Sequence, residues 1–204
     1  MIQPLVTISM EARDQGQRGS CVAFAIAGIK GCMTNYILSP EYAYLATALR
    51  SPSWQPNQGL SVQIAIESTS SGLPEDHLFP YQHNEPERPL PALPAELPLF
   101  GPDVTLMPPD LAQVKIWLAE GRPVGTVITL TQSFMAPIDG LVAFEKPVYP
   151  GRHAVVIVGY GNDQTGNEHY LICNSWGSSW GVNGHAWIPD SYLQYHASCI
   201  YGVN

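Results

Sequence analysis

One cysteine stands where two kinds of sequence meet. Before Cys21 runs the polar, glycine-bearing loop "RDQGQRGS"; after it comes the apolar run "VAFAIAGIKGCM". A run that is apolar on nearly every face reads as a buried helix, with Ser20 as its N-cap. At the first turn of that helix a thiol meets unsatisfied N–H groups and the positive end of the dipole, which lower its pKa. A nucleophile of this kind needs a base. His153 opens "HAVVIVGYG" and Asn174 closes "HYLICN", and the turn-rich "NDQTGNE" between them pairs the two runs as an antiparallel hairpin. The start of the first strand and the end of the second lie at the same end, so the two side chains can meet. The amide then fixes the imidazole ring, and an imidazole brought alongside Cys21 forms a thiolate–imidazolium pair with it. Acyl transfer also needs donors for an oxyanion. The backbone N–H of Cys21 is one, and the Gln15 amide in the upstream loop is another.

The elements that must position these groups are legible in outline. "SPEYAYLATALR" begins with Ser39 as cap and Pro40 in the first turn, a helix start. "SVQIAIESTSSG" reads as a third helix ending at Gly72. Gly28 and Gly31 weaken the first helix intrinsically and imply close packing there. Residues 82–110 are dense in proline, have no period and read as an extended connection. "PDLAQVKIWLAEG" follows as a capped helix. The remainder, "PVGTVITL", "HAVVIVGYG", "HYLICNSW" and "GHAWIP", consists of short β-branched and aromatic runs, hence strands. Helices first and strands second, without βαβ alternation, imply an α+β fold.

Composition narrows the function classes. With 204 residues, 45% hydrophobic and 13% charged, the chain can bury one substantial core or two small lobes. A formal charge of -8 argues against nucleic acid as a partner. No apolar run is long enough to cross a membrane as a helix. The N-terminal residues lack a basic leader and an apolar segment, so the chain as it stands reads as cytoplasmic, or as secreted if Met1 is not the natural start. The four cysteines include no CxxC pair, and the histidines no HExxH, so neither a metal nor another cofactor is expected. Cys32, Cys173 and Cys199 sit in or near apolar stretches and read as buried free thiols. The five other histidines and the lone Trp54 and Trp117 read as structural or solvated groups.

Three segments, "DQGQRGSCVAFA", "GRHAVVIVGYG" and "NSWGSSWGVNGHAWIP", occur in the order found in the papain-like (C1) cysteine peptidases, which the chain resembles from about Asp14 to Tyr192. "SPEYAYLA" and "GLPEDHLFPY" are smaller echoes. The resemblance implies a single domain over residues 1–204. A helical left lobe, roughly 13–105, would carry Cys21; a β-barrel-like right lobe, roughly 106–204 with the N-terminal segment, would carry His153 and Asn174. By motif position Cys21 is the nucleophile, His153 the general base and acid, Asn174 its orienting partner and Gln15 an oxyanion donor. Trp176 shields the Asn174–His153 hydrogen bond. Gly59, with Leu60 and Ser61, is the candidate for pairing with substrate backbone. Val127 and Gly151 would line the subsite for the second residue before the cut, and Arg152 stands where relatives often carry an acid.

The chain departs from that pattern at two positions beside the nucleophile. Arg18 replaces a cysteine usually held in a disulfide, and it would contact either substrate or an acidic residue. Val22 replaces an aromatic residue. The expectation is a cysteine peptidase acting on a peptide or protein through an acyl-enzyme. Its lack of a signal peptide and propeptide suggests a bacterial member cutting one defined precursor or leader. Restraint would then come from narrow specificity, a regulatory protein partner or pH. A transpeptidase or ligase with an amine acceptor, and a catalytically silent peptide-binding module, are the alternatives.

Overall fold

The runs "HAVVIVGYG" and "PVGTVITL" are apolar at successive positions, as strands covered on both faces must be. A computed structural model, which describes residues 1–146 and 151–204, buries both runs in a sheet. Strand β1 (Gln3–Thr7) precedes three helices, α1 (Cys21–Thr34), α2 (Pro40–Arg50) and α3 (Val62–Ser68). Then follow β2 (Thr105–Met107), α4 (Leu111–Ala119), β3 (Val124–Thr129) and α5 (Gln132–Met135). The chain ends with β4 (Arg152–Asn162), β5 (Glu168–Cys173), β6 (His185–Pro189), α6 (Asp190–His196) and β7 (Ala197–Gly202). The strands form one antiparallel sheet in the order β2-β7-β3-β4-β5-β6, and β1 pairs with β4 as well. The fold is α+β, as expected. The barrel-like closure is not found: among the described residues no ladder returns from β6 to β2, so the sheet is open.

Strand β4 is the spine. It takes β3 along Arg152–Ile157 and β1 along Gly159–Asn162, while β5 lies along its other edge. Its two glycines allow the approach of β1, since a Cβ at Gly159 would stand 2.5 Å from the Val6 carbonyl. Side chains alternate across the strand. Ala154, Val156 and Val158 face a core shared with α1, α2 and α3, whereas Val155 and Ile157 face a second core with Trp117 of α4 and Leu193 of α6. Helix α1 lies in the first core, which explains its all-round apolarity. Its glycines are sites of close approach: a Cβ at Gly31 would stand 2.7 Å from the Tyr36 carbonyl, and one at Gly28 3.3 Å from Met10 Sδ.

Local details correct several expectations. Ser20 occupies the N-cap position of α1, but its hydroxyl makes no cap bond and pairs instead with the Tyr81 hydroxyl at 2.8 Å. Helix α3 ends at Ser68, not Gly72, because the Ser68 and Thr69 hydroxyls turn back onto the Ala65 carbonyl. Gly72, at φ 105°, serves a turn packed on the Phe100 backbone. Residues 82–110 are irregular except for β2, an edge strand on β7 that the surrounding prolines hide. That connection is tied to α1 by the buried Lys30, whose Nζ donates to the Pro102 carbonyl at 2.6 Å. No helix among the described residues is long and apolar enough to cross a membrane.

Candidate active site

The β4–β5 register fixes the first half of the site. Val156 lies opposite Cys173, so Asn174, the next residue, lies just beyond the paired end of β5 and within reach of His153 near the start of β4. His153 Nε2 and Asn174 Oδ1 are 2.6 Å apart, both residues being buried. The Ser175 backbone N–H also donates to Oδ1 at 2.8 Å, which identifies that atom as the amide oxygen. His153 Nε2 must therefore carry the hydrogen, and Nδ1 is left with the lone pair. Trp176 lies over the imidazole, ring centroids 4.5 Å apart at 31°, and Phe134 meets both rings edge-on. This cover keeps water from the hydrogen bond, where the low dielectric strengthens it.

The second half comes from α1 and the loop before it. Cys21 is the first residue of α1 and remains partly exposed. Cys21 and His153 line the same two clefts. One, of about 410 Å³, also contains Gly59, Leu60, Ser61, Val127 and Arg152. The other, of about 620 Å³, contains Gln15, Gly19, Met135, Arg152 and Trp176. Gln15 is 6% exposed, and its amide orientation is set from both ends. Nε2 donates to the Arg18 carbonyl at 2.6 Å, and Oε1 accepts from the Ser175 hydroxyl at 2.6 Å. One N–H of the Gln15 amide is thereby used and the other left available. The backbone pair Gln15 N–H to Ser175 O, 2.9 Å, joins the loop to the segment carrying Asn174.

The electrostatics differ from the expected ion pair. Burial pushes the Cys21 thiol up, although the N–H groups of Ala154, Val22 and Cys21 pull it the other way. Burial likewise carries His153 down to about 4, against a smaller opposing effect of its Asn174 bond. The helix N-terminus therefore does not lower the thiol outright; desolvation outweighs it. Taken singly, burial thus favours the neutral form of each group.

Arg18 meets acids. Its guanidinium is 2% exposed and donates to Glu41 Oε2 at 2.6 Å and to the Gln82 carbonyl, with Glu85 Oε2 3.7 Å from Nε. The Tyr44 and Tyr81 rings lie 4.3 and 5.0 Å from its central carbon. Burial works against the charge, yet Glu41, with smaller contributions from Tyr81 and Tyr44, more than restores it, and the Arg18 pKa ends above its ordinary value.

Of the predicted subsite residues, Gly59, Leu60, Ser61, Val127 and Arg152 share the smaller cleft, and Trp176 lines the larger. Gly151 lines neither among the described residues and packs on Leu130 instead. Cys173 is buried as expected, but Cys32 and Cys199 are only partly so, and Cys199 lines the smaller cleft with Ser198. Those two cleft residues were missed because the short strand β7 follows directly on α6 without a turn signal. Ser175 and Tyr81 were missed as well. Tyr81 donates its hydroxyl to the Gln15 carbonyl at 2.8 Å.

An open antiparallel sheet carrying a histidine–amide pair beside a helix-borne thiol defines a thiol-hydrolase scaffold. The chain matches the model for "Papain family cysteine protease" over residues 57–199, and it belongs to that family. The matched span includes His153 and Asn174 and begins after Cys21. Cathepsin J of Mus musculus is 29% identical over 191 residues, 88% of this chain and 57% of that protein. Fruit bromelain of Ananas comosus is 24% identical over 183 residues, 86% of this chain and 50% of its own length. The chain thus spans about half the length of these curated relatives. Among solved structures, xylellain, a cysteine protease from Xylella fastidiosa, superposes with a TM-score of 0.77 at 22% identity, covering 100% of this chain and 87% of that one. The bromelain protease of Ananas comosus in complex with the E64 inhibitor gives 0.70 at 19%, covering 97% and 94%. Both likenesses concern the fold.

Proposed function

We propose that this chain hydrolyses peptide bonds through a thioester formed on Cys21. His153 Nδ1 takes the thiol proton as Sγ attacks the substrate carbonyl carbon, and the carbonyl oxygen becomes an oxyanion. The Cys21 backbone N–H and the free N–H of the Gln15 amide hold that oxygen. Collapse breaks the C–N bond, and the leaving amine takes the proton from His153. Water, deprotonated by the same imidazole, then attacks the thioester and releases the acid and the thiol. The observation that carries this reading is the 2.6 Å His153–Asn174 hydrogen bond, whose geometry leaves the basic ring nitrogen for the cysteine sharing its cleft.

The finer reading is selective cleavage of a defined precursor. Arg152 is the one formally charged side chain lining the 410 Å³ cleft among the described residues besides the titratable His153. A substrate with an acidic side chain near the second residue before the cut fits it. Cleavage-site profiling with a proteome-derived peptide library tests both levels, with Cys21→Ala as control. Cuts that vanish in the variant and cluster after acidic-bearing sequences are expected. Cuts that survive Cys21→Ala overturn the mechanism, and cuts indifferent to charge overturn the specificity. Joined peptides in the product mixture would mark an amine acceptor instead of water.

A further inference from the structure

A guanidinium buried to 2% exposure is costly to desolvate, and a well-packed apolar group would serve stability as well. What Arg18 touches suggests why it is there. Its carbonyl receives the Gln15 amide at 2.6 Å, so any displacement of the Arg18 peptide moves the oxyanion donor. Its side chain is tied to α2 through Glu41, which also accepts the Gln82 N–H at 3.1 Å. On the other side lies Glu85, held by the Tyr44 hydroxyl at 2.8 Å. The second oxygen of Glu85 accepts the Asn57 N–H at 3.1 Å, at the start of the loop carrying Gly59. The two loops also touch directly, since a Cβ at Gly19 would stand 2.7 Å from the Gln58 carbonyl. One buried cation thus links the loop bearing Gln15 to the loop bearing Gly59, with Cys21 between them in the fold.

We propose that Arg18, paired with Glu41 and Glu85, is a positioning residue that sets the Gln15 amide and the 57–61 loop relative to Cys21. It is an ionic staple standing where the resembled peptidases carry a disulfide cysteine, and unlike a disulfide it does not depend on the redox state of the surroundings. It touches no reacting atom. The proposal rests on the peptidase reading and specifies how its oxyanion donor is held. Glu41 controls the Gln15 side and with it kcat; Glu85 controls the substrate loop and with it KM.

The test is a double-mutant cycle on a peptide substrate, read beside the rate at which iodoacetamide alkylates Cys21, a reaction that needs no oxyanion donor. Because Arg18→Met alone strands Glu41, the pair Arg18→Met with Glu41→Met is used, together with the charge-conserving Arg18→Lys. Both should lower kcat, the Met pair by roughly 10–10²-fold, with alkylation changed less than about twofold on the same ground that the thiol is untouched. In a Gln15→Ala background the further loss should nearly disappear. Glu85→Gln should raise KM more than it lowers kcat. Unchanged kcat in folded Arg18→Lys, or equal losses with and without Gln15, would overturn the proposal. A wild-type chain without turnover would remove the peptidase reading and this proposal together, whereas active wild type with unaffected variants removes this proposal alone.

Discussion

The His153–Asn174 half of the site and the Gln15–Cys21 half are held by different means. The first hangs on strand register: β4 and β5 are locked by ladder hydrogen bonds, and Trp176 and Phe134 seal the pair from water. The second hangs on an irregular loop whose geometry depends on side chains, chiefly Gln15, Ser175, Tyr81 and the buried Arg18–Glu41 pair. Backbone ladders survive substitution of side chains, whereas a polar network fails when one member is lost. The sheet half should therefore be sensitive only at His153, Asn174 and the Trp176 and Phe134 rings that cover them. The loop half should be sensitive at residues that never meet substrate.

The comparison can be broken in order of expected effect. His153→Ala removes the base that shares both clefts with Cys21, and kcat/KM should fall by at least about 10³-fold; a smaller loss in steady-state assays would mean another group takes the proton. Gln15→Ala removes one oxyanion donor and should lower kcat by about 10²–10³-fold. Unchanged turnover would take the loop half out of the chemistry.

A smaller effect concerns stability on the sheet side. Native His153 titrates at about 4, and an unfolded histidine near 6.5. Between those values the unfolded chain binds a proton that the native chain does not, so stability rises with pH across that window and is lost on acidification. The loss from this residue is of order 3 kcal/mol by pH 4. Thermal melts of wild type and His153→Gln from pH 7 to pH 4 should show the variant losing less; parallel curves would contradict the burial argument.

Much of this was legible in the sequence, for identifiable reasons. The β4–β5 hairpin follows from two apolar runs around a turn, and the His153–Asn174 meeting follows from the hairpin alone. Cys21 at the start of α1 follows from the switch from polar loop to apolar run. The fate of Arg18 could not be read, because its partners Glu41 and Glu85 lie on separate segments and an arginine beside a cleft fits either substrate or an acid. The desolvation that opposes the helix N-terminus at the thiol could not be read, because a helix start is visible in sequence and the depth of burial is not. The open sheet was likewise hidden, since closure depends on whether β6 meets β2 across the fold.

The central claim is that Cys21 carries the acyl group. Rapid-quench intact-mass analysis with an activated peptide ester, followed by mapping of the modified peptide, tests it most directly. A transient acyl adduct on the Cys21 peptide that is absent in Cys21→Ala is the predicted result. Turnover without an adduct, or an adduct on Cys199 in the same cleft, would contradict it.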